Sequence, residues 1–134
     1  MRLILSIIIT IACLAFVGAC SKSSGGLKSV PELKNKWNYV AQYYSIGGPG
    51  SWHAVSPVTE WINLLPNGEV NSNLDPFKDA TGYELPDSAK IKFLIPSKPD
   101  GYLLFQYRFD DDGALILSPL NPMCIEGCAM KFKQ

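Results

Sequence analysis

The chain is poor in the groups that most catalytic and metal centres need. His53 is its only histidine, and no serine stands in the Gly-x-Ser-x-Gly setting of a nucleophile elbow. Without a histidine pair, acid–base catalysis would fall to carboxylates, and these cluster mostly in turns. The chain is therefore expected to be no enzyme and to carry neither a cofactor nor a resident metal. Asp110-Asp111-Asp112-Gly113 is acidic, but a calcium loop is longer and closes on a bidentate carboxylate further on, so this run reads as a solvated hairpin turn. Excess charge is also missing, since twelve Lys and Arg balance twelve Asp and Glu. The lysines are scattered, in alternating pairs such as Lys90 with Lys92 and Lys131 with Lys133, as on solvent faces. Nucleic acid, which needs a dense basic patch, is excluded as a partner.

What is present begins at the amino end. Arg2 gives a positive start, Leu3 to Val17 form an uncharged apolar run, and Gly18 and Ala19 are small. The run falls short of the roughly 20 apolar residues that span a bilayer, so residues 1–19 are expected to be a secretory signal peptide. Val17-Gly18-Ala19-Cys20 resembles the lipobox of bacterial lipoproteins, which implies palmitate-type acylation of the Cys20 sulfur and a mature chain beginning there. Cys13 is a poor rival, because few apolar residues precede it and Thr10 stands where a lipobox has a branched aliphatic. Residues 20–29 are expected to form a lipidated flexible tether, Ser21 to Gly26 carrying almost no apolar surface. Several acyl chains would anchor it durably, each buried CH₂ contributing about 0.8 kcal/mol. Ser21 stands where an aspartate retains some enteric lipoproteins in the inner membrane, so the cell envelope is expected, the outer membrane in preference to the inner.

The mature chain of about 115 residues suits one domain, residues 30–134, expected to be monomeric. Val30 to Lys36 allows one helical turn opened by Pro31. Aromatic and branched residues make Trp37 to Ile46 a strand, with Trp37, Tyr39, Ala41 and Tyr43 on the expected inner face. Gly47 to Ser51 breaks regular structure, and Trp52 and His53 follow on a loop or strand lead-in. Val58 to Leu65 is a strand, turned at Asn67-Gly68 by one of the primed hairpin types, with Ile62, Leu64 and Val70 on one apolar face. Asn71 to Ser88 is weakly patterned, with Tyr83 to Leu85 as a short edge strand. Ala89 to Ile95, Tyr102 to Phe109, Ala114 to Leu120 and Ala129 to Lys133 alternate clearly. About eight short strands joined by hairpins, with no helix of convincing length, predict an all-β, antiparallel up-and-down barrel.

Leu33-Lys34-Asn35-Lys36-Trp37 at the first strand, the Asn67-Gly68 hairpin, the Tyr107-to-Leu117 hairpin and Cys124-Ile125-Glu126-Gly127-Cys128 together resemble the bacterial lipocalin-like lipoproteins, over most of the mature chain. In lipocalins a Gly-x-Trp opens the first strand and the indole packs across the closed end of the barrel. Trp37 stands at that tryptophan, with Asn35 in place of the glycine. The arginine that often covers the indole has no counterpart, since Arg108 is the only arginine after Arg2 and lies outside the last strand. The resemblance implies a membrane-anchored cup for a small apolar ligand.

Trp37, Tyr39, Tyr43, Trp61, Phe105 and Tyr107 are the candidates to line that cup. Small barrels are commonly filled by their own side chains, so the same residues also read as plain core. The Gly47 to His53 segment sits where a rim would be, which gives a second reading as a protein-binding or inhibitory module. Cys124 and Cys128 are expected to form a disulfide in the oxidising envelope, Gly127 allowing the tight loop. A third reading takes this pair, flanked by Met123 and Met130, as a soft-donor site for Cu(I) or for thiol redox. Mass analysis of the membrane-extracted protein is expected to find an acylated Cys20 as the first residue; a mature chain that starts elsewhere and carries no acyl group removes the anchor.

Overall fold

The computed structural model describes residues 32–45, 47–125 and 127–134. The signal segment, Cys20 and the tether through residue 29 lie outside the described residues. Nine antiparallel strands form one sheet: β1 (Lys36–Tyr44), β2 (Ser51–Ala54), β3 (Trp61–Leu64), β4 (Val70–Ser72), β5 (Gly82–Asp87), β6 (Lys90–Leu94), β7 (Tyr102–Phe109), β8 (Leu115–Asn121) and β9 (Ala129–Lys133). A single 3-10 turn, Phe77–Asp79, stands between β4 and β5. Among the described residues no helix is long and apolar enough to cross a membrane.

The strand order is β4-β3-β1-β9-β8-β7-β6-β5, with β2 continuing along the same edge of β1 as β3. The first strand thus pairs with the last, and the sheet rolls into an eight-stranded, nearly closed barrel. Its seam lies between the short β4 and the edge strand β5. There the Tyr83 amide donates to Gly68 O at 2.8 Å, and the Tyr83 hydroxyl donates to Leu65 O at 2.9 Å. Beyond the seam β5 is exposed, and its carboxylates pair with lysines of β6, Glu84 with Lys92 and Asp87 with Lys90. Charged side chains of this kind discourage pairing with a foreign strand.

Alternation explains which side chains fill the interior. Ile91 and Phe93 on β6, Leu103 and Phe105 on β7, Leu115 and Leu117 on β8, and Phe132 on β9 are all buried. At one end, Trp37 is fully buried and lies 5.8 Å from the Phe109 ring. Its indole N–H donates to Leu33 O at 2.9 Å. That bond also explains why no helix forms over Glu32 to Lys36: the carbonyl that would accept the backbone N–H of Trp37 in a helical turn takes the indole instead. The neighbouring Asn35 carbonyl is drawn to β3, accepting from Leu64 N at 3.0 Å.

The hairpin at Asn67-Gly68 forms, but not with a primed turn. Gly68 N donates to Leu65 O and Leu65 N to Glu69 O, at 3.1 and 3.0 Å, and only Gly68 has a positive φ, +86°. This is a type I turn followed by a left-handed glycine, and Pro66 selects it by fixing a negative φ at its first central position. Asp110 to Gly113 repeats the pattern, with Gly113 at φ +75°. There the Asp110 carboxylate accepts from the amides of Asp112 and Ala114 at 3.1 and 2.9 Å and also pairs with Lys131. The lysine first, and these amides after it, hold the Asp110 carboxyl below its ordinary range.

The strand expected over Val58 to Leu65 is shorter, Trp61–Leu64, because Ser56 to Thr59 loops away from β1. The two ends of that loop stay attached, Val55 N donating to Val40 O and Tyr39 N to Glu60 O. Pro57, which has no N–H to give, sits in the excursion. Across the barrel, Leu74 and Phe77 are carried inward by the segment between β4 and β5. The Phe77 ring lies 4.7 Å from Phe93 and 5.3 Å from Phe105, and it is fully buried. Phe77→Ala is expected to lower the unfolding free energy by about 3–5 kcal/mol in a denaturant titration, whereas a loss below about 1 kcal/mol would mean that the ring is not holding the seam side of the barrel.

Candidate functional site

The two ends of the barrel differ. The end at Trp37 is closed by the turns Leu65–Glu69 and Asp110–Gly113, whereas the other gathers the β1–β2, β4–β5, β6–β7 and β8–β9 connections. β8 and β9 pair only from Leu115↔Phe132 to Leu117↔Met130. Past that point β8 stays with β7, while β9 pairs with β1 at Ala129↔Tyr43. Pro119 and Pro122 sit where the strands part and have no N–H to offer a ladder. The chain turns at Leu120↔Met123 and returns through the loop closed by the Cys124–Cys128 disulfide, whose Cα atoms are 5.7 Å apart.

This parting leaves an open cleft of about 330 Å³ at the mouth of the barrel. Leu103, Phe105 and Met130 line it from the strands, Pro119, Pro122 and Met123 from the end of β8, and both cysteines from the loop. Lys98 is its one charged lining residue. The volume sits at the small end of the range in which ligand pockets fall, roughly 300–1,000 Å³. Within the barrel Phe77, Phe93 and Phe105 pack ring on ring, and no buried side-chain polar atom is left without a partner among the described residues.

The candidates to line a cup are thereby separated. Phe105 reaches the cleft. Trp37 and Tyr39 lie in the core, and Tyr107 packs against it. Burial, and then the charge of Glu60, raise the Tyr39 phenol above its ordinary value, so it stays neutral. Trp61 faces outward, since alternation along β3 turns Ile62 and Leu64 inward, and Lys36 Nζ lies 4.6 Å from its ring centroid.

Tyr43 also stands on the outer face, against the expected alternation. Tyr39 pairs with Phe132 but Ala41 pairs with Lys131, so Val40 is an extra residue in β1. One extra residue exchanges the faces of everything that follows it. Tyr43 therefore joins Trp52, its partner on β2, with ring centroids 5.4 Å apart, and Lys131 Nζ lies 5.8 Å from the Trp52 ring. Gly50 permits the close approach, because a Cβ there would lie 2.5 Å from the Tyr43 ring.

The Gly47 to His53 segment accordingly includes strand β2, and Trp52 is 40% exposed on it. His53 stacks on Tyr44 at 4.1 Å, and its Nε2 lies 3.0 Å from Ser51 Oγ. Among the described residues no carboxylate hydrogen-bonds that ring, and no trio of His, Cys, Asp and Glu gathers. The lining residues that pattern reading missed are Leu103, Lys98 and the prolines, and Met130 was named only beside the cysteine pair. The inward alternation of Met130 with Phe132 was a usable signal, but the parting of β8 from β9 depends on register between distant strands. No family model, no curated protein and no solved structure matches the chain.

Proposed function

We propose that the protein is a lipid-anchored, non-catalytic binding module of the lipocalin-like kind that holds a small apolar ligand in its mouth rather than deep inside the barrel. The observation that carries this reading is the apolar cleft between the parted β8 and β9, with Leu103, Phe105 and Met130 as its floor. Burial of apolar ligand surface against such a lining contributes about 25 cal/mol per Å², and Lys98 offers one charge for a polar end. Cys20 supports anchorage in the cell envelope, and Ser21 supports the outer membrane as its place. Glu32 to Asn35 lead into β1 at the closed end, so a tether from Cys20 would attach opposite the mouth.

A second reading, protein docking at the rim, is favoured by Ile125 and Trp52, which are 96% and 40% exposed. One experiment separates the two, using the detergent-purified chain and the neutral fluorescent probe N-phenyl-1-naphthylamine. The mouth reading expects saturable probe binding that Leu103→Trp, which fills the cleft, weakens at least tenfold, while Trp52→Ser on the rim leaves it unchanged. Circular dichroism establishes that each variant keeps the barrel. Equal binding by wild type and a folded Leu103→Trp variant would overturn the mouth as the site.

A further inference from the structure

The sulfur-bearing side chains among the described residues gather at one cleft. Met123, Cys124, Cys128 and Met130 are those side chains, and all four line the mouth cleft. Packing against the core accounts for Met130 but not for Met123. Met123 is 73% exposed, although methionine in a packing role fills gaps in cores. Chain geometry brings the four together from two sides. Met123 ends the turn after β8 and precedes Cys124 directly, while Cys128 precedes β9, on which Met130 turns inward with Leu117 as its partner.

We propose that the mouth is a soft-metal site that forms when the disulfide is reduced, with the Cys124 and Cys128 thiolates and the Met123 and Met130 thioethers holding one Cu(I). The donor set decides the ion. Thiolate and thioether are soft ligands that select Cu(I), whereas harder ions need imidazole or oxygen donors, and no trio of His, Cys, Asp and Glu gathers among the described residues. The two cysteines are already close, with Cα atoms 5.7 Å apart. Metal–thiolate bonds of about 2.3 Å in a tetrahedral shell, as for zinc, place two thiolates only about 3.8 Å apart.

The chemistry balances as follows. A dithiol reductant gives two electrons and two protons to the Cys124–Cys128 bond, becoming a disulfide itself and leaving two thiols. Cu(I) then displaces the two thiol protons, and the thioethers join without losing a proton. Exchange with a small-molecule disulfide, which takes the two electrons and, with two protons from solvent, leaves as two thiols, re-forms the Cys124–Cys128 bond, removes both thiolates and releases the ion, so the redox state of the loop sets occupancy. None of this rests on the apolar-ligand reading, which concerns the oxidised chain.

The test uses the full chain in detergent, reduced anaerobically with a dithiol, freed of it, and titrated with Cu(I) against the chromophoric chelator bathocuproine disulfonate. The expected result is one Cu(I) per reduced chain, no competition by the oxidised chain, and an X-ray absorption edge and shell that contain sulfur only. Converting both methionines, Met123→Leu and Met130→Leu, preserves volume and is expected to weaken the site at least tenfold. A reduced chain that competes no better than the oxidised one overturns the proposal. So does a double-methionine variant that keeps wild-type affinity and a two-sulfur shell, which would reduce the site to an ordinary dithiol.

Discussion

The packing of Phe77 against Phe93 and Phe105 is the contact on which the rest of the molecule depends. β4 has three residues and β5 is an edge strand, so the sheet does not close through a continuous ladder. It closes because the segment between them turns inward, buries Leu74 and Phe77, and brings Tyr83 to Gly68 and Leu65. A ring held on two sides by other rings is a specific fit as well as a large apolar area. Phe77 thus occupies the interior of the barrel between two other rings, and the cleft described above opens at the mouth.

The mouth exists because two neighbouring strands stop pairing. The β8–β9 pairing ends at Leu117↔Met130, whereas β9 keeps its pairing with β1 as far as Ala129↔Tyr43, and Pro119 and Pro122 at the end of β8 have no N–H to offer a partner on that side. The Cys124–Cys128 loop bridges the opening and supplies part of its wall. A covalent cross-link there restricts the loop without requiring a buried core of its own. Apolar lining, sulfur donors and a rim that carries Ile125 and Trp52 thus occur at the same end, opposite the closed end under Trp37.

Much of this was legible in the residues. Tyr102 to Phe109 and Ala129 to Lys133 alternate so regularly that their bounds match β7 and β9, and Ile91 with Phe93 marks the inner face of β6. Local chemistry was legible too, since Asn67-Gly68 and Asp112-Gly113 do end hairpins. What was not legible came from distant partners. The extra residue at Val40 follows from the register of β9 and from Val55, both far along the chain, and it alone turns Tyr43 outward. Phe77 lies between Pro76 and Lys78 in a stretch without period, so nothing nearby marks it as core. Trp61 was a different case. The alternation that buries Ile62 and Leu64 already assigned it to the outer face, and its aromatic character made it look like a lining residue.

The central claim, a barrel filled by its own aromatic rings with room for apolar matter only at the mouth, has a direct measurement. Crystals of the domain-bearing chain pressurised with xenon report where an apolar atom of that size enters. The account predicts xenon in the mouth, against Phe105 and Met130, and none between the Phe77 ring and Trp37. Xenon density deep in the barrel, below Phe77, would contradict it and restore the deep cup.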